Sequence, residues 1–285
     1  MIAHPNPKTV FIGGGGEGGT LREVLRHPCV EKAVMVDIDG DLVDIFKSGA
    51  AQYPKGAKAA FEDPRTVLIY DDARKQLEAY DGYFDVIILD LADPVECGPC
   101  FELWTKEFFQ LCIDKMAPGG VLATQAGPFS VNQITDVCTP VAKTLGAVFP
   151  TVLTYGAHVP SFGHTWAFHV AWKDSSGDGY AERSPAAVDE ALSHRLGVAG
   201  AEQLGWYDGL THHCMFSLPK PVSSLPCVVW LCRRGTAVQP GYTYIACVHM
   251  HVCNTGAFVE LDSASVGGGD PCGKPCRNFL GALPW

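Results

Sequence analysis

The chain has 285 residues, with 21 Lys and Arg against 31 Asp and Glu (formal charge −10) and an apolar fraction of 47%. That composition excludes a disordered or collagen-like chain, and the acidic balance argues against nucleic acid, whose phosphates need a basic face; a negative protein instead concentrates cationic ligands. No run of 18 apolar residues marks a membrane span, and Met1-Ile2-Ala3-His4-Pro5 is no signal peptide, so the expectation is a cytoplasmic protein with no membrane partner.

In chain order, residues 9–13, 33–37, 66–70, 84–91 and 121–125 read as strands buried on both faces. Between them, residues 19–27, 41–47, 73–80, 101–116 and 132–145 read as helices. Residues 149–155 and 165–172 read as two further strands that finish the sheet in antiparallel fashion. The rhythm predicts an α/β fold, a doubly wound seven-stranded sheet with helices on both faces. Beyond residue 222 the composition changes. Residues 223–285 carry four basic and three acidic side chains and six of the 12 cysteines (Cys227, Cys232, Cys247, Cys253, Cys272 and Cys276). The residues before them hold 17 basic and 28 acidic groups, a charge of −11. The expected organisation is a domain at 1–222 and a Cys-rich tail at 223–285 without regular structure.

Ligands of doubly wound sheets bind at the carboxyl ends of the strands. After the first strand comes Gly13-Gly14-Gly15-Gly16-Glu17-Gly18-Gly19, in which Gly14, Gly16 and Gly19 satisfy the dinucleotide G-x-G-x-x-G spacing. Glycines let backbone approach a ligand closely, and a tight turn without a ligand is the plain alternative. Glu17 tells against a pyrophosphate, which a carboxylate repels, and suits an ammonium or sulfonium centre. The second strand ends in Asp37, about 20 residues on, where such folds place an acid on ribose hydroxyls. Asp39 follows as a helix cap. The third strand ends in Asp71-Asp72-Ala73, where Asp72 serves either an adenine amino group or the N-cap of the next helix. The fourth gives Asp90-Leu91-Ala92-Asp93-Pro94, two carboxylates of which one can act as general base while the other holds a cationic amine. Four consecutive strand ends each present an acid, and together they describe a positively charged adenosine next to an amine.

These residues resemble the polyamine aminopropyltransferases, the spermidine and spermine synthase family. Residues 14–19 match its G-G-G-[DE]-G-G loop, Val36-Asp37-Ile38-Asp39 its [ED]-I-D, and Asp90 to Pro94 its D-x-x-D-P. The segments Asp90 to Glu96 with Gly98-Pro99-Cys100, Thr124-Gln125-Ala126-Gly127-Pro128, and Ala157 to Phe162 with Thr165-Trp166 are most similar to the thermospermine synthase branch. Leu204 to Val222 resembles the family's closing segment. The resemblance runs over residues 4–222. It implies a sheet of the class I methyltransferase, Rossmann-like type and an aminopropyltransferase catalytic domain. It further implies transfer of an aminopropyl group from decarboxylated S-adenosylmethionine to a polyamine, with spermidine to thermospermine as the expected product, and release of methylthioadenosine. On that resemblance Gly14, Gly16, Glu17, Gly18, Asp37, Asp72 and Ala73 bind the donor. Glu17 takes its amino end, Asp37 the ribose and Asp72 the adenine. Asp90 is the general base, Asp93 orients the amine, and Gln125 and Tyr155 lie near the acceptor. Decarboxylated S-adenosylmethionine is a co-substrate, and no metal or other cofactor is implied. A homo-oligomer is left open.

Two departures accompany the match. Met1 stands just before the first sheet strand, so the family's small N-terminal β domain is expected to be absent and turnover to be weak. Residues 223–285 resemble nothing in the family, and their His249, His251, Cys253, Cys272 and Cys276 lack the C-x₂-C pairs of common zinc modules. Cys97-Gly98-Pro99-Cys100 copies a thioredoxin-type C-x-x-C, but Asp90, Asp93 and Glu96 upstream oppose the thiolate that redox chemistry needs. The competing readings are an NAD-dependent dehydrogenase, a methyltransferase, and a catalytically dead relative that still binds nucleoside or polyamine.

Overall fold

The structure, a computed structural model, describes residues 1–51, 54–94, 98 and 100–218. In chain order β1 (Thr9–Gly14), α1 (Gly19–Leu25), β2 (Lys32–Asp37), α2 (Gly40–Ser48), α3 (Ala57–Phe61), β3 (Thr66–Tyr70), α4 (Ala73–Ala79) and β4 (Phe84–Asp90) form the first half. A 3₁₀ turn at Phe101–Trp104 leads to α5 (Lys106–Asp114), β5 (Met116–Pro128), α6 (Cys138–Gly146), β6 (Thr151–Val159) and β7 (His164–Trp172). Then α7 (Pro185–Leu196), α8 (Val198–Glu202) and α9 (Gly209–Phe216) follow.

The seven strands lie in the order β3-β2-β1-β4-β5-β7-β6. The first five are parallel, and β7 runs antiparallel to both of its neighbours. Alternate residues of the central strands feed two separate cores. Phe11, Val34, Val36, Ile87, Leu89 and Leu122 pack with α4, α5 and α6 through Leu77, Phe108, Phe109, Val141 and Leu145. Val10, Ile12, Ala33, Met35, Val86 and Val121 pack on the other face with α1, α2 and α3 through Leu21, Val24, Val43, Ala60 and Phe61. Burial on both faces is why these strands read as unbroken apolar runs.

Every expected strand is present, but β3, expected to be buried on both faces, is the sheet edge with Val67 and Tyr70 exposed, β5 runs well beyond 121–125, and the helices differ too. The helix expected over residues 101–116 is two elements, because Thr105 breaks it: its extended backbone and its hydroxyl, which accepts from the Phe108 N–H, start α5 afresh. Met116 belongs to β5. The helix expected over residues 132–145 begins at Cys138, which sets Pro140 in the first turn, where its missing N–H costs nothing. The expected strand at residues 149–155 starts later, at Thr151, after Pro150. Helices α3, α7, α8 and α9 were not foreseen. The Cys-rich tail, its His and Cys residues, and Cys97 of the C-x-x-C lie outside the described residues. Among the described residues no helix is long and apolar enough to cross a membrane.

Candidate active site

The parallel strands deliver their acids to one end of the sheet. Gly14 pairs with Asp90 across β1 and β4, so the glycine loop and the fourth-strand acid are neighbours by register. Gly14 has φ 82°, and a Cβ there would run into the Asp90 carbonyl oxygen. At Gly16 a Cβ would come within 2.9 Å of Asp37 Oδ2. The loop is thus glycine because two strand-end acids sit against its backbone. Gly18, also at positive φ, is the N-cap of α1 and supplies no side-chain cap.

A cleft of about 150 Å³ opens at this point, lined by Gly14, Val36, Asp37, Ile38, Asp72, Ala73, Asp90, Leu91, Ala92, Cys100 and Leu103. It brings together five residues expected from the sequence to bind or react: Gly14, Asp37, Asp72, Ala73 and Asp90. Glu17 stands beside them, half-buried. Burial pushes its carboxyl above the ordinary range, and the charges of Asp90 and then Asp37 add to the effect. Three carboxylates thus share this end of the sheet, which suits it to a positively charged group.

Each acid is oriented by local structure. Asp37 Oδ1 accepts from the Asp39 N–H at 2.9 Å, and Asp39 in turn caps α2 through the Leu42 N–H. Asp72 is the N-cap of α4, its Oδ1 accepting from Lys75 N–H at 2.8 Å, so the capping role is realised while the residue still lines the cleft. Its neighbour Asp71 is held at a pKa of about 2, first by the Lys75 ammonium, and turns to that lysine and to Gln76. Asp90 Oδ2 accepts from the Thr20 hydroxyl at 2.6 Å.

Gln125, expected near the acceptor, is joined to the second acid. Its Nε2 donates to the Leu91 carbonyl and to Asp93 Oδ1, at 2.9 and 2.8 Å. Its Oε1 accepts from the Gly127 N–H and from Trp166 Nε1, at 2.8 and 2.7 Å. All four hydrogen-bonding positions of the amide are used by the protein, so Gln125 ties Asp93 to β5 and β7. Trp166 also packs against Phe162 and His164, with ring centroids 4.4 and 5.4 Å away, next to the second acid. Trp104 Nε1 ties down the Ala92 carbonyl between Asp90 and Asp93.

The structure does not bring Tyr155 to the acids. Through Phe168 it shares a cross-strand register with Gln125, but β6 lies three strands from β4, about 14 Å at ordinary strand spacing. Its ring stacks on Phe168 and meets Phe216, and it lines a separate cavity of about 480 Å³ beneath the sheet. Burial raises its phenol pKa. Thr20, Trp104 and Trp166 are the positioning side chains that the sequence did not assign; a threonine in the first turn of an uncapped helix was the available signal for the first.

A seven-stranded sheet of this order, with an acid at the end of each of its first four strands and a glycine loop against two of them, defines an α/β protein of the class I methyltransferase type. A family model described as the spermine/spermidine synthase domain matches residues 1–179. Thermospermine synthase ACAULIS5 of Arabidopsis thaliana is 41% identical over 197 residues, which cover 69% of this chain and 57% of that protein. The polyamine aminopropyltransferase of Aeropyrum pernix is 41% identical over 222 residues, 77% of this chain and 67% of the relative. Among solved structures, a spermidine synthase in complex with the transition state analogue AdoDATO superposes with a TM-score of 0.66 at 29% identity, covering 80% of this chain and 72% of the other. The chain belongs to the spermine/spermidine synthase family. It spans somewhat over half the length of the plant relative.

Proposed function

We propose that the protein transfers an aminopropyl group from decarboxylated S-adenosylmethionine to an amine of a polyamine, with spermidine to thermospermine as the specific reaction. The observation that carries the reading is the convergence of Asp37 and Asp90 on the glycine loop that carries Glu17, with Asp93, three residues after Asp90, held by Gln125. Asp37 takes the ribose hydroxyls, and the free oxygen of Asp72 the adenine amino group. Glu17 takes the ammonium of the aminopropyl arm, whose charge offsets the burial and the neighbouring acids that raise the Glu17 pKa. The acceptor arrives as an ammonium ion. Asp90 removes its proton, and the freed nitrogen lone pair bonds to the aminopropyl carbon attached to sulfur. The carbon–sulfur bond breaks, its electrons pass to sulfur, and the sulfonium becomes the neutral thioether of methylthioadenosine. With the proton on Asp90, the still-ionised Asp93 faces the positive charge that builds on the attacking nitrogen.

Asp93 orients the acceptor amine, and Gln125 acts through Asp93. Trp166 and Phe162 offer aromatic faces to a cationic chain passing the second acid. Tyr155, three strands away, has no contact with the acceptor in this reading. The thermospermine assignment rests on the resemblance of residues 90–100, 124–128 and 157–166 to that branch; overall identity is 41% both to ACAULIS5 and to the Aeropyrum pernix polyamine aminopropyltransferase and does not separate them.

The test is product analysis by mass spectrometry on the full chain with decarboxylated S-adenosylmethionine and, separately, putrescine and spermidine. A tetraamine and methylthioadenosine are expected from spermidine, with chromatography separating thermospermine from spermine. Asp90→Asn should lower the rate by about 10³-fold. Absence of methylthioadenosine from every mixture would overturn the reading.

A further inference from the structure

We propose that Thr20 is a positioning residue for the general base: its hydroxyl locks one oxygen of Asp90 so that the other is presented to the acceptor amine. The inference rests on the transfer reading above and gives one of its steps a geometric control.

Helix α1 begins without a side-chain cap, since its N-cap is Gly18. A threonine in the first turn of such a helix commonly turns its hydroxyl to local backbone. Thr20 instead reaches across to a strand 70 residues away and donates to Asp90 Oδ2 at 2.6 Å, a length typical of a charge-assisted O–H···O⁻ bond. The same oxygen is confined from another side, because a Cβ on Gly15 would stand only 3.2 Å from it. Among the described residues no second donor reaches this carboxylate. Oδ2 is therefore engaged by the protein, while Oδ1 keeps its lone pairs for a proton.

The branched threonine side chain strengthens the device, since its χ1 is restricted in a helix. The glycine loop and Thr20 belong to one continuous segment, residues 13–20. The segment that would cradle the donor thus also sets the base, and the base is aimed from the donor side of the reaction. In the transfer step Asp90 takes the ammonium proton first, and the freed nitrogen lone pair then bonds to carbon as carbon separates from sulfur. Only a carboxylate already turned to the amine can take part without a rotation first.

The experiment compares Thr20→Val, which keeps the shape and removes the donor, with Thr20→Ser, which keeps the donor. Steady-state kinetics on the full chain should show Thr20→Val lowering kcat about tenfold, with KM for both substrates within about twofold. Thr20→Ser should restore most of kcat, and thermal midpoints should be similar. Wild-type kcat in Thr20→Val, or a loss confined to KM, would overturn the proposal. If the wild-type protein shows no turnover, the transfer reading fails, and crystal structures of the two variants decide the positioning claim. An Asp90 carboxylate rotated in Thr20→Val but not in Thr20→Ser supports it, and an unmoved carboxylate in both overturns it.

Discussion

At the scale of single residues, the site gathers acids whose burial and mutual repulsion both disfavour their charge. Glu17 shows this most plainly. Its folded pKa is raised, so the folded protein holds that proton to higher pH than the unfolded chain does. The linkage sign follows: stability falls as pH rises from the ordinary glutamate pKa through the raised value, and the penalty is complete above it. Glu17→Gln should therefore raise the thermal midpoint at pH 7.5 by roughly 2 °C and leave it unchanged near pH 3.5. The same variant should weaken binding of decarboxylated S-adenosylmethionine about tenfold or more in titration calorimetry. A gain in stability coupled to a loss of binding would identify the carboxylate as placed for the ligand and not for the fold. Equal midpoints at both pH values would remove the argument from burial and repulsion together.

At the scale of elements, register decides which residues meet. Gly14 and Asp90 are partners across two parallel strands, and the tightness of that contact is testable against another glycine of the same backbone class. Gly14→Ala should cost about 3 kcal/mol or more in urea unfolding, from positive φ and a clash with backbone together. Gly163 also has positive φ, yet it has open space around its Cβ position, so Gly163→Ala should cost only about 1 kcal/mol. The end of β5 provides a second case. Gln125 joins β5 to Leu91 and Asp93 after β4 and to Trp166 in β7, so one amide connects three segments. Gln125→Leu should raise KM for the polyamine about tenfold through the released Asp93, with donor binding within about twofold. A matching loss of donor affinity would show general damage to the strand ends.

At the scale of the whole molecule, the antiparallel edge is fastened by a buried neutral histidine. His169 on β7 donates from Nε2 to the Cys138 carbonyl at the start of α6, which leaves Nδ1 to accept from the Thr154 hydroxyl on β6. Burial lowers its pKa from 6.5 to about 4. A depressed histidine contributes stability above its unfolded pKa and loses it as pH falls toward the folded value, so the window runs from about 6.5 down to about 4. His27, lowered to about 3 by burial, acts in the same direction. Unfolding free energy should drop across that window by as much as about 1.4 kcal/mol per pH unit for each histidine. His169→Gln should flatten the slope while lowering stability at pH 7.5, as urea titrations at a series of pH values would show.

Much of this was legible in the sequence. Strands announce themselves as contiguous apolar runs, and an acid at the end of such a run must fall at the carboxyl edge of a parallel sheet, which is why Asp37, Asp72 and Asp90 could be placed before any coordinates. Helix α7 carries a start signal too, since Ser184 before Pro185 is an N-cap followed by an N1 proline. The five-residue α3 was not, being too short for a period to show. What only the tertiary structure decided is how the acids are held: Thr20 on Asp90, Gln125 on Asp93 and Trp166, and Tyr155 set apart over its own cavity. Those pairs are separated by 70, 32 and 41 residues. Local propensity and periodicity carry no information over such distances, because the contacts depend on strand order and register, which form only when the whole sheet closes.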